Sequence, residues 1–193
     1  MNFLAHALLA GDDPALIVGG VVGDWIKGNL PAGLQDDLAR GVALHRAIDS
    51  HAEQHAAFRQ SRARVSVQRR RYAGVLVDVF YDHLLARDWA AIHHQPLNEF
   101  CANVYGLIED RMDNLPAASH LALRMMVRED WLSSYTQVEG ITDVLARMSR
   151  RARRPNPLAG GEQELLADLM GFERDFRHWL ADAQAFVAQW RTA

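Results

Sequence analysis

Seven side chains able to hold a divalent cation fall at helical spacing in the first half of the chain: His6, Asp24, His45, Asp49, Asp78, Asp82 and His83. His45 and Asp49 share a stripe with Leu38 and Val42, because positions three and four apart stack on one helical face, so both point inward. By themselves, the two read most simply as a buried hydrogen-bonded pair. Asp78 and Asp82 lie one turn apart in the apolar run Val75–Leu85. Two buried carboxylates that close cannot both stay ionised without a compensating cation, which a metal ion or arginine partners would supply.

Asp24 follows the apolar stretch Leu16–Val22 and sits beside Gly19, Gly20 and Gly23, which permit close helix approach. His6 is an imidazole among apolar neighbours. Each reads alone as structural; seven such groups on helices of one bundle read as a metal site. Mixed imidazole and carboxylate donors suit Mn²⁺, Fe²⁺ or Mg²⁺ better than structural zinc, which favours thiolate. The paired Glu-x-x-His motifs of di-iron bundles are absent from the sequence.

The elements that must position these groups are helices, since no segment alternates over six or more residues while several repeat at helical spacing. The expected architecture is an all-α, single-domain helical bundle over 1–193, with a motif-bearing core at 1–154 and a C-terminal loop and helix at 155–193. Pro14 behind Asp12 and Asp13 predicts a helix start, and residues 29–33 its stop. Further helices are predicted from Leu34 to about Phe58 and over Arg70–Ala86. The latter is apolar all round and therefore central. Leu97, Phe100, Val104, Leu107 and Ile108 mark a fourth, closed near Leu115-Pro116. Others are expected over Ser119–Tyr135 and Thr142–Arg151. A loop at 154–161 precedes one long or bent terminal helix from Leu165 to Trp190.

At 193 residues and net charge −3 the chain has the balance of a globular protein. No apolar run approaches the roughly 20 residues of a spanning helix, so no membrane association is expected. No Lys or Arg precedes Lys27, which argues against a secretory signal. The lone Cys101 excludes an internal disulfide, favours the cytoplasm, and is expected to pack in the core. Of the 21 Lys and Arg residues, all but Lys27 are arginine, the side chain that binds carboxylate and phosphate bidentately. They concentrate at Arg59, Arg62, Arg64, Arg69, Arg70 and Arg71, and again at Arg147, Arg150, Arg151, Arg153 and Arg154. Solvated helix ends account for such clusters too. Nucleic acid is not an expected partner, given a pI near 6.3 and no basic run interleaved with aromatics.

The same residues carry a resemblance. Asn2-Phe3-Leu4-Ala5-His6, Gly23-Asp24 with Lys27-Gly28, His45-Arg46 with Asp49, Asp78-Val79-Phe80-Tyr81-Asp82-His83 with Trp89, and Asp130-Trp131-Leu132 with Tyr135 resemble the acyl carrier protein phosphodiesterase family. That family is similar to the HD phosphohydrolases, helical proteins whose His and Asp side chains hold catalytic metal. Two departures stand out: the adjacent pair here is Asp82-His83 instead of His-Asp, and Glu53 stands where relatives tend to carry Asp.

The resemblance implies metal-dependent removal of 4'-phosphopantetheine from holo acyl carrier protein, with Mn²⁺ the first choice and Fe²⁺ or Mg²⁺ open. It implies metal ligands among Asp24, His45, Asp49, Asp78 and Asp82, and catalytic roles for His6, Asp24 and His83. Either His6 or His83 could protonate the leaving serine oxygen. Arg46, Arg62, Arg69, Arg150 and Arg151 are the expected substrate contacts, since an acidic carrier protein calls for a basic docking surface. Two other functions compete: an HD-type hydrolase of a small nucleotide or signalling phosphate, and a non-catalytic helical interaction protein.

Overall fold

The computed structural model describes residues 2–192. Its helices are α1 (Phe3–Ala10), α2 (Pro14–Val22), α3 (Asp36–Gln54), α4 (Ala56–Arg64), α5 (Ala73–Arg87), α6 (Trp89–Ile92), α7 (Leu97–Asp110), α8 (Ala117–Arg128), α9 (Trp131–Ser134), α10 (Val138–Arg151), α11 (Glu162–Ala167) and α12 (Leu169–Thr192). Short 3₁₀ turns at Gly23–Trp25, Val67–Tyr72 and Met112–Asn114 complete the order, and there is no strand among the described residues. The all-α expectation holds.

Local chemistry sets several starts. Asp13 caps α2, accepting from the backbone N–H groups of Ala15 (2.9 Å) and Leu16 (3.2 Å), and Pro14 takes the first helical position, where its missing N–H costs nothing. α2 then lies against α3 at a glycine crossing. A Cβ on Gly19 would fall 2.5 Å from the Gly41 Cα, so only a glycine pair lets the two backbones come this close.

α5 is the central helix. Leu76, Val77, Phe80, Tyr81, Leu84 and Leu85 are all fully buried on it. α12 packs on the same core: Phe172 meets Phe80 edge-on, and Phe176 and Trp179 lie against Tyr81. The C-terminal segment therefore belongs to the domain that carries the motifs. No helix is long and apolar enough to cross a membrane.

Several predicted boundaries need correction. The helix expected from Leu34 to Phe58 breaks at His55, whose extended backbone (φ −74°, ψ 133°) separates α3 from α4 while its ring caps Ala57. The span Ser119–Tyr135 breaks at Asp130, held at φ 46°, ψ 56° where its carboxylate accepts from the Tyr105 hydroxyl (2.8 Å). The terminal helix breaks at Asp168. In each case a polar side chain has a tertiary or capping partner that hydrophobic periodicity does not register.

Candidate metal centre and its cleft

His45 is seated by a glycine. A Cβ on Gly23 would sit 2.3 Å from the His45 Cγ, so the 3₁₀ turn after α2 must lack a side chain for the ring to enter. His45 Nδ1 lies 2.8 Å from the carbonyl oxygen of Gly20. A carbonyl only accepts, so Nδ1 carries the hydrogen and Nε2 is left to face Asp49 Oδ2 at 3.2 Å and Asp24 Oδ1 at 3.8 Å.

His6, from α1, stacks on the His45 ring with centroids 4.0 Å apart and places Nε2 3.1 Å from Asp49 Oδ1. One donor atom each from His6, His45 and Asp49 falls within 4.8 Å of the others. Asp49 is the hinge of the group, since each oxygen faces a different imidazole and its outer side is open to solvent.

The electrostatics fit a cation. Burial opposes charge on His45, yet Asp24 and Asp49 outweigh it and lift the imidazole to about 9. Burial and the neighbouring His45 pull His6 down to about 4, so it stays a neutral donor. Burial works against ionisation of Asp24 too, but the hydrogen bond with His45 prevails and holds the carboxyl near 2; Asp49 is likewise held low by both imidazoles. Anionic carboxylates therefore face ring nitrogens, an arrangement that needs either a proton or a metal ion between them. A backbone carbonyl fixing the far nitrogen is also how metal-ligating histidines are oriented. The buried His6 Nδ1 has no hydrogen-bond partner among the described residues.

Asp24 and Asp49 border two joined hollows. One, of about 390 Å³, is lined by Glu53, Gly74, Val75 and Asp78; the other, of about 280 Å³, by Lys27, Gly28, His45 and Arg46. Asp78 thus faces the same cleft as the cluster, half-buried, and burial pushes its carboxyl upward. A larger cavity of about 810 Å³ near Arg87 and Arg177 contains none of the clustered ligands, so size does not identify the site.

Asp82 is placed elsewhere. Its two oxygens accept the backbone N–H groups of Leu4 (3.1 Å) and Ala5 (2.9 Å), closing the N-terminal turn of α1 from across the core. Burial pushes its carboxyl up to about 7 against those two bonds. The two carboxylates thus sit in different surroundings, Asp82 on backbone donors of α1 and Asp78 on the cleft. His83 points away as well: its Nδ1 donates to the Tyr135 carbonyl (2.8 Å), and it lines a separate hollow with Arg87, Thr136, Leu165 and Leu169. The reversed Asp82-His83 pair is therefore split between two tasks.

The arginines divide too. Arg46 lines the cleft and donates to the Ile26 carbonyl at 3.0 Å. Arg62 pairs with Glu53 at the cleft rim, and Arg69 turns to Glu164 (3.1 Å) and the Pro157 carbonyl (2.9 Å). Arg150 and Arg151 are exposed at the end of α10. Cys101 is buried, and burial raises its thiol to about 12, as befits a packing residue.

Lys27 went unassigned in the sequence reading although it lines the cleft. Its signal was present, for it is the one lysine in a chain that otherwise uses arginine. The Gly20 carbonyl that orients His45 had no signal, since every residue carries one.

A model of the family described as acyl carrier protein phosphodiesterase matches residues 1–183. Proteins named acyl carrier protein phosphodiesterase are similar along nearly the whole chain. That of Pectobacterium atrosepticum is 31% identical over 174 residues, 90% of each chain. That of Photorhabdus laumondii is 29% identical over 177 residues, covering 91% of this chain and 89% of its own. That of Salmonella dublin is 28% identical over 190 residues, 98% of each. No solved structure matches.

Proposed function

The chain belongs to the acyl carrier protein phosphodiesterase family, and from that premise we propose that it hydrolyses the phosphodiester joining 4'-phosphopantetheine to a serine of holo acyl carrier protein. The products are apo carrier protein and 4'-phosphopantetheine. The observation that carries this reading is the convergence of His6, His45 and Asp49, with Asp24 beside them, on an open cleft.

His6, His45 and Asp49 would hold a divalent cation, with Asp24 as a further ligand and Asp78 facing it across the cleft. Mn²⁺ is our assignment, Fe²⁺ and Mg²⁺ being served by the same donor chemistry. Such an ion supplies Lewis acidity toward a phosphoryl oxygen and toward water near neutral pH. The protein's own residues do the rest. Lys27 and Arg46 line the cleft and offer positive charge to the phosphoryl oxygens as negative charge builds there. Asp78, which lines the cleft and which burial biases toward the protonated form, would give a proton to the departing serine oxygen. His83 is not carried into this scheme, because its ring faces another cavity.

The carrier protein is acidic, and the exposed arginines at the end of α10 are its proposed landing surface, with Arg150 and Arg151 foremost. Cytoplasmic residence is part of the same reading, since the substrate is a carrier of the cell's own synthesis.

Incubating holo acyl carrier protein with this chain and Mn²⁺, followed by intact mass measurement, tests the proposal. Loss of the phosphopantetheine mass is expected; an unchanged carrier mass overturns it. The competing nucleotide hydrolase would instead turn over free nucleotides faster than carrier protein.

A further inference from the structure

Beside the cleft lies a small apolar slot of about 60 Å³. Phe3, Trp25, Val79, Val144 and Met148 form its walls. Phe3 and Trp25 stack in parallel, with ring centroids 5.6 Å apart and planes 2° from parallel. Trp131 closes it, covered by the guanidinium groups of Arg147 (4.8 Å to the ring centroid) and Arg151 (5.9 Å).

Three elements each send at least one residue to the metal cleft and a close neighbour to this slot. On α1 these are His6 and Phe3, one turn apart on the same face. On the 3₁₀ turn they are Asp24 and Trp25. On α5 they are Val75 and Asp78 in the cleft and Val79 in the slot, positions that share one helical face. The slot therefore lies within one residue or one helical turn of the metal cleft on three elements, within reach of a group joined to the reacting phosphate by very few bonds.

The proposed substrate has such a group. In its pantetheine arm the phosphate ester oxygen is followed by one methylene and then by a quaternary carbon bearing two methyls. A branched carbon of this size suits a slot of about 60 Å³ with aliphatic and aromatic walls. A fatty acyl chain does not, because it hangs from the thiol at the far end of the arm.

We propose that this slot recognises the gem-dimethyl carbon of the arm, making Val79, Val144 and Met148 determinants of substrate specificity. The inference rests on the phosphodiesterase reading above. It implies that the enzyme recognises the arm by its first few atoms, independently of what the thiol carries.

The test compares carrier protein bearing the natural arm with the same protein bearing an arm whose two methyls are replaced by hydrogen. The wild-type chain is expected to favour the natural arm by about 10-fold or more in kcat/KM, the usual worth of missing methyls in an apolar pocket. Met148→Trp, at a half-buried position, and Val144→Phe, at a buried one, fill the slot and should erase that preference by slowing the natural arm alone. Circular dichroism melts confirm that each variant is folded. Equal kcat/KM for the two arms in the wild-type chain overturns the slot assignment and leaves the phosphodiesterase reading standing. No turnover of either arm overturns both. An octanoyl arm should be cleaved at the rate of the free thiol arm; a preference for octanoyl that Met148→Trp removes would give the slot to the acyl chain and overturn our assignment.

Discussion

Two arginine-rich stretches, 59–71 and 147–154, are equivalent in composition and opposite in use. In the first, Arg64 joins Asp168 and the buried Asp175 (2.8 Å), Arg69 joins Glu164, Arg62 joins Glu53, and Arg70 donates to the carbonyls of Val65 and Ala63. In the second, Arg147 reaches Glu129 at 3.6 Å and the Trp131 face, Arg151 reaches Met125 Sδ at 3.4 Å and the same ring, and Arg150, Arg153 and Arg154 are exposed. For Arg64 and Arg69 the difference comes from acidic partners about a hundred residues away, Glu164, Asp168 and Asp175, which the C-terminal segment brings to the first stretch and not to the second. One basic run ties the fold together; the other stays exposed, where we propose that the carrier protein lands. The carboxylates divide the same way, Asp82 closing a helix turn and Asp49 opening on the cleft.

The sharpest test of that division is at the carboxylates. Asp49→Ala should lower kcat by about 10³-fold or more, the scale of losing several kcal/mol of metal-assisted stabilisation. Mn²⁺ should raise the melting temperature of the wild-type chain, and this variant should abolish that rise while the helical signal persists. Near-wild-type turnover would remove Asp49 from the site.

Next comes the first arginine stretch. Arg64→Met takes from Asp175, which is 0% exposed, its nearer guanidinium, leaving Arg174 at 3.6 Å and the Ser61 hydroxyl, and should cost about 3 kcal/mol of stability in urea unfolding. The kinetic constants of the fraction that stays folded should be unchanged. A loss below about 0.5 kcal/mol would place this pair with ordinary surface ion pairs and dissolve the contrast.

For the second stretch the signs exchange. The double variant Arg150→Glu/Arg151→Glu should raise KM for holo carrier protein about 10-fold with kcat nearly constant and little change in melting temperature. Added salt should raise the wild-type KM toward that of the variant, since exposed charges are screened. A KM indifferent to both would transfer docking to another surface.

A fourth test is of pH. The Asp82 carboxyl is raised by burial from 3.8 to about 7. A raised value means its contribution to stability is complete below 3.8 and is lost as pH climbs through 7, when the native state must hold a buried anion. Relative to Asp82→Asn, wild-type stability measured by denaturant unfolding should therefore decline between pH 4 and 7. Parallel pH profiles for the two chains would contradict the burial of that group.

Much of the scaffold was legible in the residues. Apolar periodicity located α5 and α7, and Asp13-Pro14 announced α2, because capping and helical burial are local in sequence. The inward stripe of His45 and Asp49 was legible for the same reason, and the glycines flanking Asp24 signalled the close approach now seen between Gly23 and the His45 ring. The breaks at His55, Asp130 and Asp168 were not legible, since their partners lie outside the local period.

By itself, then, the sequence determined the all-α class and the main helices, which residues on them face inward, and which side chains are chemically able to hold a metal. Only the tertiary structure decided which of those joined. Asp82 met the backbone of α1 and Asp49 met two imidazoles; Arg64 met Asp175, while Arg150 stayed exposed. The physical reason is that a charged side chain takes its role from the partner it reaches within a few ångströms, and the deciding partners here, α1 for Asp82, His6 for Asp49 and Asp175 for Arg64, are distant in sequence.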